Sequence, residues 1–269
     1  MSCNPNRFDA VSHPGQWLLV VMLLLAILML PASAGTATKA GSGTDLTSAG
    51  VGAWSGGSGA NGSPTSADVA TWTSSSLGAG LTIGSASSWG SINVTGSSSA
   101  SIAITGSGAL TLGASGITIA SSAVDMSIGN PITLGAPQTW TIGSGRTLTC
   151  SGITTGSAAN ICTKDGSGTL IKSSGSDAVV NTVIAAGTLS GKPSTQAGSV
   201  TIAKNGTWDL YGGNRVTATI ADGTGGGGVI TISTATPETL STGNSTADTS
   251  FSGVLQNGAG TLSLNKQNY

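Results

Sequence analysis

Short blocks of the form apolar–polar–apolar recur along most of this chain. They begin at Leu81 (Leu-Thr-Ile-Gly), Ile92 (Ile-Asn-Val), Ile102 (Ile-Ala-Ile), Leu110 (Leu-Thr-Leu-Gly) and Ile117 (Ile-Thr-Ile). They continue at Met126, Ile132, Trp140 and Leu148, with starts six to eleven residues apart. In an extended strand, residues i and i+2 share a face, so each block turns two apolar side chains inward and usually a Thr, Ser or Asn outward. Glycine follows many blocks, where a corner needs positive φ. No stretch after the first 34 residues sustains a 3.6-residue period, and the chain has one Glu. The pattern predicts an all-β chain with essentially no helix.

Strands this short and closely spaced fit a sandwich, a barrel or a β-solenoid. The blocks are nearly interchangeable, as stacked coils require. Strands of three to five residues are also short for a sandwich, and small Gly, Ser, Ala and Asn side chains let coils stack at about 4.8 Å. The pattern therefore predicts a solenoid over residues 71–269, with coils of about 20–25 residues and roughly eight or nine of them. Trp89, Trp140 and Trp208 are expected as interior or end-covering aromatics. Residues 35–70 are Gly, Ser, Ala and Thr with little apolar content, expected as a loosely ordered lead-in or a degenerate first coil.

Charged residues make up 7% of the chain and the net charge is −1. No basic cluster is available to track phosphates, so nucleic acid and a polybasic membrane contact are disfavoured. An apolar fraction of 38% argues against disorder despite 43 glycines.

The leading residues have the form of an address. A polar stretch with Arg7 precedes the unbroken apolar run Trp17–Leu30, and Pro31-Ala-Ser-Ala-Gly35 follows. Residues 1–34 read as a signal peptide cleaved before Gly35. The alternative is a retained N-terminal anchor. Cleavage would remove the only histidine, His13, and would leave Cys150 and Cys162 in a disulfide-permitting compartment. A bridge between them and two separate thiols in adjacent turns fit this spacing equally well.

Without histidine the mature chain holds no Ser/His/Asp or Cys/His triad. The acids, from Asp45 to Asp248, are scattered about one per turn and read as loop caps. Gly223–Gly228 is followed by no Lys-Ser or Lys-Thr and so is no phosphate cradle. No metal or cofactor site is expected, and the chain is expected not to be an enzyme. The densest polar stretch, Asp209–Asp222 with Tyr211, Asn214 and Arg215, is a candidate sugar-binding segment or else a solvent-facing turn. Thr147-x-Thr149 and Thr217-x-Thr219 suit a flat threonine face, but the uneven spacing would scatter most other threonines around the coil.

A second repeat begins near Ala159. Ile161–Lys172 is echoed by Val254–Leu264, and both contain Gly-x-Gly-Thr-Leu: Gly166, Gly168, Thr169, Leu170 and Gly258, Gly260, Thr261, Leu262. A related Ala186-Gly-Thr-Leu189 follows the first copy. These cores, near 159–190 and 254–269, resemble autotransporter-associated β-strand repeats. The first copy departs from that pattern where it runs into Ser173-Ser-Gly-Ser-Asp, and the second ends at Asn268-Tyr269. The resemblance implies a right-handed parallel β-helix passenger, exported to the cell surface, the outer membrane or the medium of a bacterium. Its work would be structural, display or adhesin-like, with no catalytic residues to carry over. Such a chain would either be part of a longer passenger or stand alone. The rival reading is a secreted carbohydrate-binding solenoid. No partner is assigned; a surface polysaccharide and self-association through coil edges are both admitted.

Overall fold

A computed structural model describes residues 34–73, 78, 80–97, 100–155, 157, 159–173, 181–191, 198–243 and 245–267. The predicted leader lies outside them except for Ala34, as do most of Ser173–Asp177 and the pair Asn268-Tyr269.

The described chain winds as a parallel β-solenoid of about eight turns. One interior ladder runs through Ala37, Ala70, Ile92, Ile117, Trp140, Lys164, Ile184 and Ile202, each in parallel register with the next. A second runs through Ile102, Met126, Leu148, Leu170, Leu189, Trp208, Ile230 and Leu255. Beyond Ala70 the first ladder steps by as many as 25 residues, from Ile92 to Ile117, and as few as 18, from Ile184 to Ile202. The expected coil length is met. Both apolar positions of all nine blocks, from Leu81 and Ile83 to Leu148 and Cys150, are buried at 1% exposure or less. Burial at about 25 cal/mol per Å² of apolar surface, repeated coil on coil, is what holds the stack together.

The expected three-to-five-residue strands are in several places longer. Leu110–Ile119 carries the blocks of both Leu110 and Ile117, and Thr147–Thr155 bends at a register shift between Cys150 and Gly152. A bulge lets one strand turn a corner without breaking its pairing. The only helical element among the described residues is the 3-10 turn Ala60–Gly62.

Residues 35–70 fold onto the solenoid as an irregular first coil. Thr36–Lys39 is paired on both edges, antiparallel to Trp54–Ser55 and parallel to Val69–Trp72. Trp54 packs edge-on against Trp72 and Trp89, with ring centres 5.1 and 5.6 Å away, and its indole N–H donates to Leu46 O at 3.0 Å. The antiparallel strand closes the edge that a coil stack would otherwise leave open. At the other end Val254, Leu255 and Leu264 are 52%, 38% and 54% exposed, although their ladder partners Ile230 and Leu240 are fully buried.

Candidate functional site

The repeat cores are corner devices. Thr169-Leu170 stacks directly on Thr188-Leu189, with threonine outward and leucine buried. Gly187 precedes that pair at φ +67, and a Cβ there would lie 2.4 Å from Gly166 O in the coil below. Glycine is required at this corner because the backbones touch. In the second copy Leu262 pairs with Glu238 and Leu264 with Leu240, so it lies on a different face from the first. A Cβ on Gly258 would lie 2.0 Å from Ile232 O.

The threonines are not scattered as their spacing suggested. Thr147, Thr169, Thr188 and Thr207 form one outward ladder across four coils. On another face Thr111, Thr133 and Thr154 align, with 3.0 Å between the last two hydroxyls. Unequal corner insertions absorb the irregular spacing, so register is kept where chain distance is not. Thr217 is instead buried, its hydroxyl 2.8 Å from Gly198 O and 3.1 Å from Thr219 O.

The stretch from Asp209 is turned inward. Asp209 is buried and accepts from Ser190 Oγ, Ser233 N, Ser233 Oγ and Tyr211 N. Glu238 Oε1 accepts from Gly212 N and Gly213 N at 2.7 Å each, and the Arg215 guanidinium donates to the carbonyls of Leu210, Tyr211 and Asn214. Burial lowers the Arg215 pKa while nearby Glu238 and Asp209 raise it. These groups pin their own loop, leaving Tyr211 as its exposed side chain.

Sequence reasoning missed the buried cations. Lys39, Lys164 and Lys172 are inside, as is Arg215. Lys164 occupies the interior ladder between Trp140 and Ile184, where its ammonium donates to Asp165 O (2.9 Å), Gly166 O (2.7 Å) and Ala186 O (3.0 Å). Burial pushes its pKa down to about 8, against a smaller upward pull from Asp165. The signal was present: Cys162 and Lys164 stand at i and i+2 in a strand whose inward phase is set by Cys162. Cys150 and Cys162 are buried thiols in different strands, Cys150 in register with Ile128 and Lys172, Cys162 with Gln138 and Thr182. Among the described residues the one ion pair is Arg146–Asp125 at 3.7 Å, and no cluster of metal-ligating side chains occurs. With its cations turned inward, the flank is a neutral hydroxyl-bearing surface.

Comparison with known protein families, curated proteins and solved structures finds no match to this chain.

Proposed function

We infer that this chain is an exported structural element of a bacterium, a rod that displays or spaces other material at the cell surface, and that it carries out no catalysis. The observation that carries this reading is the continuity of the interior ladder from Ala37 to Ile202 through eight successive coils. Stability that accumulates coil by coil suits a load-bearing or spacing role. The weakly charged threonine flanks, and carboxylates committed to internal hydrogen bonds, support the same reading. So do the leader-like first 34 residues and the likeness of Gly166–Leu170 and Gly258–Leu262 to autotransporter-associated repeats.

The test is an antibody raised against residues 81–269, applied to fractionated cells and medium of the native host. Signal at the cell surface or in the medium is the expected result. Signal confined to the cytosol would refute the export reading, and the size of the band would separate a stand-alone rod from a passenger segment.

A further inference from the structure

A cleft of about 330 Å³ opens between the N-terminal coil and the strand Ser87–Val94, lined among others by Ser63, Thr65, Ser66, Ser87, Ser88 and Trp89. Its walls are fixed before any ligand arrives. The Asp68 carboxylate accepts from the backbone N–H and hydroxyl of both Ser58 and Thr65, at 2.8 to 3.0 Å, and so staples the loop that forms one wall. Asn61 Nδ2 donates to Ser48 O at 3.0 Å and ties the same loop to the first coil. Trp89 is held in the three-tryptophan cluster with Trp54 and Trp72. A rigid site of this kind spares a ligand the cost of ordering loops and side chains.

The lining contains no charged side chain. Ser63 is almost fully buried, and its hydroxyl has no hydrogen-bond partner in the protein. An orphaned buried hydroxyl costs on the order of 1–3 kcal/mol, so a partner entering the cleft would recover part of that. The volume is at the lower end for ligand pockets. Neutral walls, several hydroxyls and an indole together match a ligand that is itself neutral, bears hydroxyls and has an apolar face. We propose that this cleft binds one end or one short stretch of a neutral polysaccharide, a pyranose unit meeting Trp89 and hydrogen-bonding Ser63. The site is separate from the flank on which the rod reading rests, and either can fail alone.

The test is titration of the folded chain with cellobiose, maltose and N,N′-diacetylchitobiose, following the assigned Trp89 indole resonance by NMR. At least one sugar is expected to shift it saturably. Ser63→Ala should weaken that binding by about tenfold, the loss of one hydrogen bond. Ser88→Trp, a change at an exposed rim position, should fill the cleft and abolish binding while the backbone spectrum stays folded. No saturable shift with any of the three sugars, or an equal shift with glycerol, overturns the proposal. Undiminished binding in Ser88→Trp overturns it as well, and that variant decides the matter if Ser63→Ala does not fold.

Discussion

Replacing Lys164 with methionine tests whether a charge is held inside this solenoid. The methylenes of Lys164 fill the ladder between Trp140 and Ile184, and a methionine side chain has a similar shape. What the change removes is the ammonium and its bonds to three carbonyls. Hydrogen bonds from a charged donor contribute about 1.5–3 kcal/mol each. Against that stands the cost of burying the charge. The fall in pKa from 10.5 to about 8, at 1.36 kcal/mol per unit, sets that cost at about 3 kcal/mol as an upper bound, lowered by any solvent screening. Lys164→Met should therefore destabilise the chain by about 2 kcal/mol at pH 7. The pH dependence is the sharper readout. Between about pH 8 and 10.5 the unfolded chain holds a proton on Lys164 that the folded chain has released, so stability of the parent rises with pH across that window. The methionine variant lacks this gain, and its deficit should widen by about 2 kcal/mol from pH 7 to pH 10. Guanidinium unfolding followed by circular dichroism, on both proteins at both values, measures the difference. A deficit that stays flat or narrows would refute burial as the dominant influence and show that the three carbonyls hold the charge.

Four further outcomes are expected. Asp68→Asn should cost about 3 kcal/mol through loss of charge-assisted bonds. Burial raises the Asp68 pKa, but its four donors outweigh that and hold it at about 2; its contribution is full above about pH 4 and lost as pH falls toward 2, an acid limb that unfolding curves of the variant should lack. Gly187→Ala should lower stability by more than about 2 kcal/mol through left-handed strain and collision with Gly166 O, whereas Gly84→Ala, with nothing within 4 Å and no positive φ, should stay within about 0.5 kcal/mol in the same thermal melt. Thr217→Val should cost about 1–2 kcal/mol and Thr188→Val almost nothing, since the first hydroxyl is buried on two carbonyls and the second stands in the outward ladder; equal costs would refute this assignment of faces. Leu264→Lys should reduce light scattering of concentrated chain without lowering its unfolding midpoint, because Leu264 is exposed on a strand that pairs, among the described residues, only with Glu238–Thr242; a monodisperse parent at high concentration would count against edge association.

The inward phase of nine strands was legible because period-2 alternation is a local property. Ile92 and Val94 are buried for the same reason that Asn93 is not, and no distant residue is needed to say so. The coil length was legible too, since the blocks repeat. What stayed hidden depends on register between residues some 20 apart. Thr169 and Thr188 look unrelated along the chain, yet the corner at Gly187 brings them side by side. The cap at residues 35–70 was illegible for a further reason. Its order rests on few apolar groups, Leu46, Ala53 and Trp54, and on a carboxylate at Asp68 that collects donors from ten residues back and three residues back. Composition registers small residues there and cannot register how completely they are bonded.

Polar residues inside a repeat fold follow from the repeat itself. In a stack with one strand per face per coil, every inward position lies between two others, so a side chain placed there is covered whatever its chemistry. Lys164 is covered because Trp140 and Ile184 are its neighbours, and only the carbonyls of a corner can reach its head group. The same constraint brings Asp209 and Glu238 onto backbone N–H groups and Arg215 onto carbonyls. Burial without a partner would cost several kcal/mol per charge, so each of these residues sits where a corner exposes backbone groups. The corners therefore decide which polar residues the interior can accept. Coils whose corners are tight should accept only apolar ladders, as those carrying Ile92, Ile117 and Leu112 do.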